Sequence, residues 1–134
     1  MTKMSIIFAS IALFCSGCIA EHKDTVLAAR DLYVIDGDTV RFDGTSYRLL
    51  GFDTPETFQP KCERERVLGF TAKARLRALL NDATKITLRS SGRSDRYGRQ
   101  LASLLINGVD ASDLLVSENL ARPYRGGQRT SWCN

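Results

Sequence analysis

Apolar positions fall along the chain in three regimes. From Ser5 to Cys15 they run almost without a break. From Thr25 to Phe52 they gather in short clusters of β-branched, aromatic and aliphatic residues, and from Glu63 to Leu80 they recur at helical spacing. The middle regime predicts three strands. The first lies within Thr25 to Ile35, the second is Thr39 to Phe42 and the third is Ser46 to Phe52. Asp43-Gly44 between the last two is a hairpin signal, because the turn that suits strand twist needs positive φ, which glycine accepts at no cost. Leu68, Ala72, Leu76 and Leu79 then mark one face of an amphipathic helix, with Leu80 widening the stripe. Lys85 to Arg89 and Leu101 to Ile106 return to strand character. Ala111 to Asn119 reads as a short helix with Asp110 at its N-cap and Asp113 near the positive end of its dipole. The order βββ, α, ββ, α predicts an α+β, mainly β chain: a five-stranded OB-type barrel with two to three helices.

The first twenty residues stand apart from that domain. Lys3 gives a positive start, the apolar run follows, and Cys18-Ile19-Ala20 ends it with small residues at a peptidase-like junction. The run is well short of the about 20 residues a membrane-spanning helix needs. Residues 1–20 are therefore expected to be a signal peptide and residues 21–134 one domain, secreted or periplasmic. Cys15-Ser16-Gly17-Cys18 weakly resembles a lipobox, so a membrane anchor through Cys18 is the lesser expectation. Beyond the leader only Cys62 and Cys133 remain, an even pair in an exported chain, which predicts a disulfide; two free thiols are the alternative. A zinc site is disfavoured, because His22 is the chain's one histidine.

Charge changes the picture modestly. The chain holds 19 Lys and Arg against 15 Asp and Glu, a formal net charge of +4. A polyanionic partner suits that balance without being required by it.

The chemistry gathers at two loops that flank the predicted hairpin. Asp36-Gly37-Asp38-Thr39 precedes it and Asp53-Thr54-Pro55-Glu56 follows it. Because a hairpin returns its ends to one place, Asp38 and Asp53 are expected to converge, and hard carboxylate oxygens with the Thr54 carbonyl suit calcium. Arg48 in the third strand and Arg99, closing Asp95-Arg96-Tyr97-Gly98-Arg99, bring planar paired donors that match phosphate oxygens. Taken one at a time, Asp-Gly and Asp-Thr-Pro are also ordinary turn sequences, and an arginine is more often a surface ion-pair partner.

Together, Val34-Ile35-Asp36-Gly37-Asp38-Thr39-Val40, Tyr47-Arg48-Leu49-Leu50, Asp53-Thr54-Pro55-Glu56 and Asp95-Arg96-Tyr97-Gly98-Arg99 closely resemble the staphylococcal nuclease family, over Leu32 to Tyr124. The resemblance implies the OB barrel and a calcium-dependent endonuclease that hydrolyses DNA and RNA and leaves 3′-phosphate ends. It assigns Asp38, Asp53 and Thr54 to the metal. Glu56 becomes the water-orienting or general-base carboxylate, and Arg48 and Arg99 the phosphate-binding pair. Tyr97, and Tyr124 if one gap is allowed, match substrate-binding tyrosines, although a packed barrel tyrosine explains either equally well. No stable protein partner is expected.

Three departures alter the rim of such a site. The hairpin from Val40 to Tyr47 is shorter, the loop from Thr57 to Arg66 carries Cys62, and the sequence closes on Trp132-Cys133 where the staphylococcal enzyme continues into a helix. A Cys62–Cys133 bond is expected to stand in for that helix as a clamp. A non-catalytic OB-fold module that binds nucleic acid or protein is the competing class, disfavoured by retention of all six site residues.

Overall fold

A computed structural model describes residues 22–134; the leader, its cleavage point and Cys18 lie outside the described residues. The chain forms β1 (Lys23–Leu27), β2 (Leu32–Asp36), β3 (Thr39–Phe42), β4 (Thr45–Leu49), β5 (Gly51–Asp53), α1 (Glu63–Asp82), β6 (Ile86–Ser94), β7 (Gln100–Ile106), β8 (Val109–Asp110), α2 (Ala111–Ser117) and β9 (Arg122–Tyr124). The fold is α+β and mainly strand, an OB-type arrangement, as the pattern predicts. The main sheet runs β1-β6-β7-β4-β3-β2, with β8 paired to β7, and β5 and β9 form a separate pair. This sheet is curled, and its edge strands β1 and β2 do not pair with each other to close it.

Two expected strands are each divided. Thr25 to Ile35 breaks at a 3-10 turn, Ala29–Asp31, where the Asp31 carboxylate accepts from the Ala28 amide at 3.0 Å. Ser46 to Phe52 breaks at Leu50, and Gly51, whose φ is 93°, opens β5 outside the main sheet. A residue with a side chain is strained there, and glycine is not. The tail contributes β9, which pairs Asp53 with Arg122.

The β3–β4 hairpin turns on Asp43-Gly44, both at positive φ (46° and 75°), with Phe42 opposite Thr45. That is the two-residue loop whose twist matches its strands. Parallel pairing of β4 with β7 sets Tyr47 opposite Gln100 and Arg48 opposite Leu101, bringing Arg99 to the end of the barrel that carries Arg48. Val34, Val40, Leu49, Phe52, Leu88 and Leu104 fill the interior beneath α1, which adds Leu76 and Leu80. Asp110 caps α2 by accepting from the Ser112 amide at 2.9 Å.

Candidate active site

Two glycines let the site loops approach their neighbours. A Cβ on Gly37 would lie 2.8 Å from the Thr54 methyl and 3.0 Å from Ala72 Cβ, so the Asp36–Asp38 turn packs directly on the Asp53–Glu56 loop and on α1. A Cβ on Gly69, in α1, would lie 2.8 Å from the Glu56 carbonyl oxygen and 2.9 Å from that of Pro55. A register shift between Val34 and Asp36 bulges β2 where it enters the turn, and bulges of this kind re-aim side chains.

The turn sends Asp38 inward. Its Oδ1 accepts from the Thr39 hydroxyl at 2.9 Å and its Oδ2 from the Thr54 amide at 3.0 Å, which ties the two loops together. Asp53 is buried beside it at 5% exposure. Burial pushes the Asp53 carboxyl above its ordinary pKa, and the neighbouring Asp38 adds to the rise against the pull of Arg129 and Arg48. Glu56, half-buried on the same loop, is also held above the usual range, first by burial and then by Asp36 and Asp38. A carboxyl raised in this way accepts a proton more readily near neutral pH.

Arg48 lies between the two aspartates, 3.4 Å from Asp38 Oδ2 and 3.6 Å from Asp53 Oδ1. It also donates to the carbonyls of Leu49 at 2.5 Å and Phe52 at 2.9 Å. Much of the donor set expected for phosphate is thus engaged in holding the carboxylates together. Arg99 differs: Nε donates to Asp95 Oδ2 at 2.7 Å, and among the described residues its terminal nitrogens have no hydrogen-bond partner. Asp95 shapes that loop by also accepting from the amides of Tyr97 and Arg99.

A cavity of about 40 Å3 is lined by Asp36, Asp38, Thr54, Pro55, Glu56, Arg99 and Arg129. It adjoins a groove of about 1330 Å3 bordered by Arg48, Glu56, Arg99 and Arg129 together with Arg93, Arg96 and Arg125. Tyr97 and Tyr124 also line the groove. The guanidiniums of Arg96 and Arg99 sit 4.8 and 5.4 Å from the exposed Tyr97 ring, whereas the Tyr124 hydroxyl donates to the Gly127 carbonyl at 2.7 Å. The six expected site residues and both tyrosines are therefore brought together at one end of the barrel.

The donors fit a hard divalent cation only in part through side chains. Asp53 Oδ1 and the Thr54 hydroxyl are buried without a hydrogen-bond partner, an unmet demand that a cation or its water would fill. Among the described residues no three His, Cys, Asp or Glu side chains are grouped to hold an ion. Two aspartates, a carbonyl and water make up such a set, as calcium tolerates.

Four residues sequence reasoning did not foresee complete the site. Glu65, buried at the start of α1, accepts from the amides of Lys61 at 2.7 Å and Glu56 at 3.5 Å. Trp132 Nε1 donates to Asp53 Oδ2 at 3.3 Å, and Arg129 Nε lies 3.2 Å from Asp53 Oδ1. Arg122 braces this tail by donating to the carbonyls of Ser131 and Thr130 and stacking 3.7 Å from the Trp132 ring centroid. Cys62 and Cys133 are joined, with Cα atoms 5.8 Å apart. A signal for the tail was present: Cys62 follows closely on Glu56, so pairing it with Cys133 draws Arg129 and Trp132 toward the Asp53 loop.

Residues 46–131 match the family described as Staphylococcal nuclease homologue. The chain is 34% identical over 94 residues to the SPbeta prophage-derived endonuclease YokF of Bacillus subtilis (strain 168), covering 66% of this chain and 31% of that protein. It is 35% identical over 94 residues to Endonuclease YncB of the same organism, 66% of this chain and 44% of the relative. Thermonuclease of Staphylococcus hyicus is 32% identical over 93 residues, 66% of this chain and 54% of the relative. The matched region thus spans about a third to about half the length of these relatives.

Proposed function

The chain belongs to the staphylococcal nuclease family, and from that premise we propose that it is an exported, calcium-dependent endonuclease hydrolysing phosphodiester bonds in DNA and RNA. The observation that carries the reading is the juxtaposition of a buried acidic pair, Asp38 and Asp53, with Glu56 and Arg99 at the mouth of a basic groove. The relatives named as endonucleases and as a thermonuclease support the reaction class.

Each residue has a task that follows from its surroundings. Asp38, Asp53 and the Thr54 carbonyl hold calcium, which when bound offsets charge on a phosphate oxygen. Glu56, its pKa raised by burial and by neighbouring carboxylates, orients the attacking water or takes its proton. Arg99, fixed by Asp95 through Nε alone, offers its remaining donors to the phosphate, where they stabilise the charge that builds on five-coordinate phosphorus. Arg48 keeps the two aspartates together and adds positive charge on the groove side. Tyr97 and Tyr124 provide ring faces for bases, and stacking of that kind tolerates any sequence. Water attacks phosphorus in line, the 5′-oxygen leaves with a proton, and 3′-phosphate ends result. The joined Cys62 and Cys133 suit an oxidising compartment, which supports export, a condition met equally by a secreted, a periplasmic and a Cys18-anchored chain.

The test is cleavage of single-stranded DNA and RNA by the purified, oxidised protein, with calcium and with chelator, beside Glu56→Gln and Arg99→Ala. Calcium-dependent cutting lost in folded variants, with product ends that a 3′-phosphatase opens to extension, supports the reading. A folded protein that binds nucleic acid and never cuts it would sink the enzyme reading in favour of the binding module.

A further inference from the structure

The tail from Arg122 to Cys133 is a braced strap. It is anchored by β9 at one end and Cys133 at the other, and Arg122 and Trp132 stiffen it between. It carries Arg125 to the groove alone and Arg129 to both the groove and the small cavity. Arg129 borders both the small acidic cavity and the wide basic groove, so it stands where the two meet, as Arg99 does. Its Nε is 3.2 Å from Asp53 Oδ1, yet that oxygen has no partner of hydrogen-bond geometry. The contact is one of charge, without the directional bonds that fix Arg99 on Asp95. The side chain is also 45% exposed, against 7% for Asp53, so it is free to turn outward.

A divalent cation on Asp38 and Asp53 would compete with Arg129 for that oxygen and repel its charge at close range. The guanidinium then has one polyanionic neighbour left, the phosphate in the groove it already borders. We propose that Arg129 is a further phosphate-binding arginine of this site beside Arg99, resting on Asp53 until a divalent cation takes the carboxylate. The inference rests on the reading of the site as a calcium-dependent nuclease. It goes beyond the motif-borne residues by giving the tail a direct part in substrate binding.

The prediction has opposite signs in two measurements, which a merely structural role does not produce. Calorimetric titration of the oxidised protein with calcium alone should show Arg129→Gln binding about three- to thirtyfold more tightly than wild type, because a competing charge is gone. The same variant should lose about ten- to a hundredfold in kcat/KM on single-stranded DNA at saturating calcium. Arg129→Lys, which keeps the charge but not the paired donors, should match wild type in calcium affinity and fall between the two in cleavage. Thermal melting of each variant checks that the strap stays in place. A wild type that binds calcium and cuts DNA, with Arg129 variants equal to it in both, overturns the inference and leaves the nuclease reading standing. A wild type that takes up no calcium and cuts nothing overturns both.

Discussion

The bond between Cys62 and Cys133 offers the most exacting test of how the fold holds its site. It closes a loop of 71 residues. The chain-entropy relation puts removal of such a crosslink at about 4 kcal/mol, acting mainly on the unfolded ensemble. For a domain of this size roughly 3 to 4 °C of melting temperature accompanies each kcal/mol, so reduction should lower Tm by about 10 to 15 °C. The two single serine variants should not be equal. Cys62 is the N-cap of α1, and its sulfur accepts from the Glu65 amide at 3.4 Å. A serine hydroxyl is a stronger cap than sulfur, so Cys62→Ser recovers up to about 1 kcal/mol that Cys133→Ser does not. Melting followed by far-UV circular dichroism, oxidised and reduced, for wild type and both variants, gives the comparison. Oxidised and reduced wild type melting within about 2 °C of each other would refute the account of the tail as a covalently clamped strap.

Other outcomes follow from the packing of the loops. Gly69→Ala raises helix propensity by about 1 kcal/mol, but its Cβ meets the Pro55 and Glu56 carbonyls below 3 Å; net destabilisation of about 1 to 3 kcal/mol and at least tenfold slower cleavage are expected, and a more stable, fully active variant would contradict the packing. Arg48→Met leaves Asp38 and Asp53 buried without their shared cation and should cost about 3 to 5 kcal/mol; added calcium should then raise Tm more in the variant than in wild type. For Glu56 the folded pKa lies above the unfolded one, so protonation favours the fold and its contribution is lost as pH rises through the raised value. In chelator, Glu56→Gln should therefore be the more stable form at neutral pH, with the difference closing as pH falls, and a gap that widens on acidification would reverse the sign of the argument.

The parts of this molecule that were legible in sequence are those set by local chemistry. Asp43-Gly44 specifies its turn, Asp110 caps the helix that follows, and the stripe through Leu68, Ala72 and Leu76 finds α1. The six expected site residues were named from short motifs, Asp36-Gly37-Asp38-Thr39, Tyr47-Arg48, Asp53-Thr54-Pro55-Glu56 and Asp95 to Arg99, whose local order needs no long-range contact to be read. What escaped depends on contacts between distant segments. The breaks at Ala29–Asp31 and at Leu50 interrupt strand-like runs that continue across them, so no alternation in the sequence records them. Glu65 reads as one more surface charge on a helix rich in Glu and Arg, and only its burial against the loop reveals it as an acceptor for two amides. The expected role of Arg48 on phosphate was drawn from its residue type and motif; the structure commits much of it to two carboxylates and three carbonyls.

The Asp53–Glu56 loop shows why the tail matters to the chemistry. Beyond Asp53 it has no strand partner, and a buried backbone without a ladder must find hydrogen bonds elsewhere. Glu65 supplies them from one side by accepting from the Glu56 amide, while Asp38 accepts from Thr54 and Gly69 gives the loop a surface close enough to rest on. From the other side the tail fixes the Asp53 carboxylate through Trp132 and balances its charge through Arg129. The first support begins at Cys62, the N-cap of α1, and the second ends at Cys133. One covalent bond therefore joins the two supports of the Asp53–Glu56 loop, so its loss is expected to reach the carboxylates before it reaches the barrel. The core cluster around Val40, Phe52, Leu76 and Leu104 takes no residue beyond Ala121, which separates the packing of the barrel from the tail that shapes the site.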